Sequence, residues 1–169
     1  DRSIEITKRA LSASPFKIFS NGLQEKQPAP PFGQRNSFFS RADILFDKTK
    51  DTEFQKFINA LGYIESKNND NIIGDQGSAI GRYQIWKPYF LDAQEYSVKH
   101  KDIFRLKGLD YSQCFYHSVA YRVVIAYFTR YEREALINND FEILARCHVS
   151  GWNWRHQKGR STHYWEKIK

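Results

Sequence analysis

The chain has 169 residues, of which 41% are hydrophobic and 27% charged, a balance that favours a globular domain with a real core over disorder. No apolar run approaches the roughly 20 residues that a membrane-spanning helix needs, so no membrane span is expected. Twenty-six basic against 19 acidic residues give a net charge of +7, which suits an anionic partner such as a bacterial wall, nucleic acid or an acidic protein surface, without choosing among them.

Residues 1–50 read differently from the rest. They hold four of the five prolines, Pro15, Pro28, Pro30 and Pro31, together with Phe16, Phe19, Phe32, Phe38, Phe39 and Phe46. A short helix over Ile4 to Leu11 is possible, and Gln27 to Gly33 is expected to be extended, because proline lacks an amide proton and restricts the residue before it. Flexible linkers are poor in aromatics. This stretch is therefore expected to be an arm that docks, either on the following domain or on a protein partner. The sequence begins at Asp1 and holds no methionine, which fits a processed product and an omitted leader equally.

The domain proper is expected over 51–169. Asp51 or Thr52 can cap a helix whose Phe54, Phe57, Ile58, Leu61 and Ile64 share one face. Glu65 continues that apolar face near the helix C-terminus. A glutamate at a helix end is ordinarily solvated. On an apolar stripe, beside the negative end of the helix dipole, it can instead be held protonated near neutral pH, as a general acid requires. Asn68 to Asn71 form a polar turn, Ile72 and Ile73 a short apolar run, Gly74 to Gly77 a second turn, and Gly81 to Ile85 a brief strand. Asp75, flanked by glycines, is expected to be wet and ionised. One carboxyl held neutral and one charged is the division of labour in glycoside hydrolysis.

Further along, Pro88 suits the first turn of a helix through Phe90, Leu91, Ala93 and Tyr96. Residues 97–110 read as a basic link anchored by Ile103, Phe104, Leu106 and Leu109. A long, largely buried helix is expected from Ser112 to Leu136. The tyrosines on it (Tyr116, Tyr121, Tyr127 and Tyr131) are expected in the core more than on a sugar-stacking platform. Asn138 and Asn139 make a turn, and Asp140 caps a helix lined by Phe141, Leu144, Ala145 and His148. In the basic, aromatic tail, Trp152 and Trp165 can pack inward, and Ser161 or Thr162 can cap a last helix with Tyr164, Trp165 and Ile168. If the helices carrying Cys114 and Cys147 form a hairpin turning near Asn138, the two cysteines lie roughly 24 Å apart, so both thiols are expected to be unbridged. The five histidines show no metal-ligand spacing, Asn69 to Gly77 has too few oxygens for a calcium loop, and there is no glycine-rich phosphate motif. No metal or cofactor is expected.

The order Glu65, Gly74-Asp75-Gln76-Gly77, Ala79-Ile80-Gly81-Arg82-Tyr83-Gln84-Ile85-Trp86 and Tyr89 to Ala93 resembles the lysozyme superfamily. It is most similar to invertebrate-type lysozymes and their bacterial and phage-like relatives. The resemblance runs from about Thr52 to the C-terminus and includes the closing segment Leu144 to Lys167. Arg82 stands where proline is usual, His148-Val149-Ser150-Gly151-Trp152 replaces the usual His-Asn-Gly-Gly-Pro, and the cysteine-rich framework of the animal enzymes is missing. The resemblance implies a mainly α, lysozyme-like α+β fold with a small β-hairpin. It implies hydrolysis of β-1,4 linkages in a peptidoglycan-like polysaccharide, with Glu65 and Asp75 catalytic and Tyr83, Gln84, Ser78 and His148 binding substrate. Such an enzyme would be secreted or extracellular. The alternative is a non-catalytic, lysozyme-like structural or adaptor subunit held in an assembly by its arm. Nucleic acid is not the expected partner.

Overall fold

The computed structural model describes residues 48–156 and 158–169; the arm expected over residues 1–50 lies almost wholly outside them. Within them the chain is mainly helical, with one small antiparallel sheet. Helix α1 (Thr52–Ser66) starts at Asp51, whose carboxylate accepts from the Glu53 and Phe54 amides at 3.1 and 3.0 Å. The expected face is buried: Phe54, Phe57, Ile58 and Leu61 are all 5% exposed or less. The helix stops because Lys67 turns left-handed (φ 57°), returning the Lys67 and Asn68 amides to the Tyr63 and Gly62 carbonyls.

Three two-residue strands follow: β1 (Ile73–Gly74), β2 (Ala79–Ile80) and β3 (Ile85–Trp86). They pair in the order β1-β2-β3, with Ile73 opposite Ile80 and Ile80 opposite Ile85. The strand expected at 81–85 is thus displaced. Gly81 (φ 73°) and Gln84 (φ 46°) adopt left-handed backbone, so 81–84 is a turn and the ladder resumes only at Ile85. Glycine is required at 81 for a second reason, since a Cβ there would lie 2.4 Å from the Cys114 carbonyl oxygen. Arg82 clamps the preceding loop, donating to Asp70 at 2.8 Å and to Asn68 at 3.3 Å.

Helix α2 (Lys87–Lys99) carries Pro88 in its first turn. In the link that follows, Phe104 and Leu106 are fully buried, and the Asp102 carboxylate accepts from the Ser97 hydroxyl and from the Leu106 and Lys107 amides. The single helix expected over 112–136 is three pieces: a 3-10 turn at Tyr111–Phe115, α3 (His117–Tyr131) and α4 (Arg133–Asn138). The first break is at Tyr116, whose extended backbone (φ −85°, ψ 119°) follows a capping box between Asp110 and Gln113. The second is at Glu132, whose backbone leaves helical space (φ −137°) while its carboxylate binds Trp154 and Arg155. Helix α3 is nonetheless the buried centre, with Val123 to Ala126 and Phe128 wholly enclosed. Tyr127 is in the core as expected, whereas Tyr116 is 65% exposed.

Asp140 caps α5 (Phe141–Ser150), and α6 (Lys158–Ile168) packs on α5 and reaches α1. The last helix therefore begins before Ser161 and Thr162. Trp165 packs against the core, but Trp152 is 60% exposed and not packed inward. Cys114 and Cys147 are both unbridged and buried, and burial raises the Cys114 thiol to about 12. Among the described residues no helix is long and apolar enough to cross a membrane, and no cluster of His, Cys, Asp or Glu could hold a metal ion.

Candidate functional site

Glu65 lies in the last turn of α1, with its side chain 18% exposed. Two elements from the far end of the chain meet it. The Tyr164 hydroxyl, from α6, donates to Glu65 Oε1. His148, from α5, brings Nε2 to 3.8 Å from the same oxygen. Glu65 Oε2 takes no hydrogen bond among the described residues. The expected apolar face thus delivers Glu65 to an enclosed, polar contact and not to bulk solvent.

The tautomer of His148 follows from its neighbours. Nε2 is 3.0 Å from the Tyr83 carbonyl oxygen, which can only accept, so Nε2 carries the proton. Nδ1 then accepts from the Tyr89 hydroxyl at 3.3 Å. Burial holds the His148 imidazole below its ordinary range, although the Glu65 charge and the bond to Tyr83 oppose this. Burial also pushes the Tyr164 and Tyr89 hydroxyls well up, so both remain donors throughout the accessible pH range. Glu65 therefore faces two neutral hydrogen-bonding groups and no permanent cation.

The other anticipated residues divide. Tyr83 is 1% exposed, and its hydroxyl pairs with His117 Nε2 at 3.0 Å, so its side chain is no surface for a sugar. The left-handed turn at 81–84 sends the ring into the core and leaves only its carbonyl to the site, on His148. Gln84 folds back: its amide donates to the Gly81 carbonyl at 2.9 Å, and its carboxamide oxygen lies so close over Gly74 that a Cβ there would be 2.0 Å away. Asp75 follows Gly74 at the tip of the β1–β2 hairpin, exposed and with left-handed backbone (φ 46°). No hydrogen bond or ion pair among the described residues joins Asp75 to Glu65. Ser78 is exposed at the same tip, and its carbonyl accepts from Tyr111 at 3.0 Å.

Beside this cluster runs an open groove of about 350 Å³. It is lined by His148 and Gln84, by Tyr89 and Tyr127, whose rings stack with centres 3.6 Å apart, and by the exposed Trp86 and Trp152. Sequence reading missed Tyr164 and Tyr89 as site residues. The available signal was that a tyrosine on an apolar helical face needs a partner for its hydroxyl. Compared with known proteins, the chain matches no family model, no curated protein and no solved structure.

Proposed function

We propose that this chain is a lysozyme-type glycoside hydrolase that cleaves β-1,4 linkages in a peptidoglycan-like amino-sugar polymer outside the cell. The observation that carries the proposal is Glu65: a largely enclosed carboxyl with one oxygen fixed by Tyr164, no permanent counter-charge, and the other oxygen without a hydrogen-bond partner among the described residues. Glu65 Oε2 is the atom from which a proton would pass to the leaving glycosidic oxygen. Tyr164 holds the carboxyl's orientation, and His148, donating to the Tyr83 carbonyl, keeps the neighbouring wall in place. Asp75, solvated at the hairpin tip, would supply the second carboxylate that stabilises the oxocarbenium-like transition state or attacks it. Gln84 covers Gly74, the residue before Asp75.

Clearing of a peptidoglycan suspension by native protein, beside Glu65→Gln, tests this. A positioned proton donor contributes roughly 100- to 10,000-fold, so the variant should lose clearing by that factor while staying folded. No clearing by a folded native chain across pH and several wall types would remove the hydrolase reading.

The second reading is a lysozyme-like scaffold that no longer cleaves sugar and docks on a protein partner through residues 1–50. The use of the Tyr83 side chain in the core favours it. In that case Glu65→Gln changes no activity, and deleting the arm abolishes assembly.

A further inference from the structure

Tyr83 joins two histidines that lie far apart in the sequence. Its backbone carbonyl accepts from His148 Nε2 at 3.0 Å, and that same nitrogen stands 3.8 Å from Glu65 Oε1. Its hydroxyl, at the other end of a residue only 1% exposed, has one partner among the described residues, His117 Nε2 at 3.0 Å. One buried residue thus spans from the wall of the Glu65 site to an exposed histidine outside it. A phenylalanine would fill the same core space, so the hydroxyl is the part of Tyr83 that packing does not explain. The neighbouring residues of the turn are fixed elsewhere: the Ser66 hydroxyl donates to the Arg82 carbonyl at 2.8 Å, and the Gln84 carboxamide to the Gly81 carbonyl.

The break at Tyr116 makes His117 the first residue of α3 and brings its imidazole to Tyr83, with ring centres 6.0 Å apart and planes tilted by 45°. Burial pushes the Tyr83 hydroxyl well up, so it keeps its proton and needs an acceptor. Only an unprotonated Nε2 serves, which assigns a neutral His117 with its proton on Nδ1. The surroundings favour that form. Burial and the Arg82 charge hold His117 below its ordinary range, while Asp70, paired with Arg82 at 2.8 Å, opposes them. The N-terminus of α3 acts in the same direction as Arg82. Once Nε2 gains a proton, both partners are donors. The Tyr83 proton then has no acceptor among the described residues, and the outer end of the ring loses its anchor.

We propose that His117 is a positioning residue of the Glu65 site: by accepting from the Tyr83 hydroxyl it fixes the Tyr83 ring and backbone, and through the Tyr83 carbonyl it holds the His148 N–H that faces Glu65. The catalytic consequence rests on the hydrolase reading; the path from His117 through Tyr83 to His148 does not.

The test is NMR of the histidine ring nitrogens in the full-length native chain, in His117→Gln and in Tyr83→Phe, each titrated through the histidine range from about pH 8 to about pH 5. His117 is exposed and Tyr83→Phe keeps the ring, so both variants should fold, which near-unchanged thermal midpoints check. In the native chain the His148 ring should be the Nε2–H tautomer, and its signals should take a step at the pH where His117 itself titrates. That step should vanish in both variants, while the titration that belongs to His148 alone remains. In Tyr83→Phe, His117 still titrates and His148 no longer follows it. If Tyr83→Phe fails to fold, His117→Gln decides alone. His148 signals that never follow His117 in the native chain, or that follow it equally in Tyr83→Phe, overturn the proposal. Where the protein clears walls, kcat should fall roughly three- to tenfold in either variant with KM near native, as a small misplacement remote from the chemistry does. Coupled histidines with kcat unchanged in both variants would overturn the positioning role. The outcomes separate from those of the hydrolase reading. Coupled histidines without wall clearing keep the path and remove the enzyme, and Glu65-dependent clearing with uncoupled histidines does the reverse.

Discussion

Tyr164→Phe isolates what holds Glu65. The change removes one oxygen and leaves the ring, which is 9% exposed, in its packing place on α6. What is lost is a single donor to Glu65 Oε1. A hydrogen bond to an ionised group contributes about 1.5–3 kcal/mol, against about 0.5–1.5 kcal/mol for one between neutral groups. With Glu65 18% exposed, water can replace only part of it, so the variant should lose about 1–2 kcal/mol of stability in urea unfolding. In the Glu65→Gln background the acceptor is neutral, and the same change should cost only about 1 kcal/mol; the difference is the coupling read from the double-mutant cycle. If the chain is a hydrolase, kcat should fall with little change in KM, because Tyr164 orients the acid and does not touch substrate. Equal costs in the two backgrounds would refute the reasoning, since the hydroxyl would then be acting somewhere other than on Glu65.

Three further outcomes follow from the same physics. Burial pushes the Asp51 carboxyl up, but the Phe54 amide, Asn139 and Lys48 outweigh it and bring the value down to about 2. That stabilisation is complete above the unfolded value of 3.8 and is lost as pH falls through about 2, so Asp51→Asn should flatten the acid limb of a pH–stability curve, and an unaltered limb would contradict the assignment. The His148 value is depressed by burial, so its contribution is complete above 6.5 and declines as pH falls below it; His148→Gln should make the thermal midpoint less pH-dependent there, and a steeper dependence would argue against a neutral ring. Glu132→Gln keeps one acceptor oxygen but removes the charge and the second acceptor that holds the half-exposed Arg155, and should cost about 2 kcal/mol in chemical unfolding; a cost near zero would mean that this clamp does not close the gap between α3 and the tail.

Much of the helical framework was legible because it rests on local rules. The Phe54, Phe57, Ile58, Leu61 spacing marks one buried face, Asp51 and Asp140 are caps, and Pro88 opens α2. What the sequence concealed depends on backbone signs and on contacts between distant elements. The run from Gly81 to Ile85 alternates like a strand, yet two left-handed residues within it turn the chain and bury the Tyr83 side chain. The helix over 112–136 has continuous helical spacing. Its breaks at Tyr116 and Glu132 come from a capping box and from a carboxylate that reaches 22 and 23 residues ahead, and no periodicity reports that. Glu65 and His148 were readable singly, one from its place on a stripe and the other from the closing segment. Their meeting with Tyr164, 99 residues from Glu65, required the fold.

Two enclosed glutamates of this domain, Glu132 and Glu65, are held in contrasting ways. Glu132 is 7% exposed and is answered by a guanidinium through two bonds of 2.6 and 2.8 Å and by the Trp154 indole at 2.7 Å, which is how a fold retains a buried anion without penalty. Glu65 has a single bond from a phenol and an imidazole that burial keeps neutral. If the fold needed only a link between α1 and α6 at this point, a glutamine would accept the same Tyr164 hydrogen bond without placing an ionisable group in a largely enclosed site. A carboxyl held by one phenol, with no cation beside it, suits the proposed role, and its neighbour His148 lines a groove with exposed indoles. That contrast within one chain, more than any single distance, is what favours chemistry over scaffolding at Glu65.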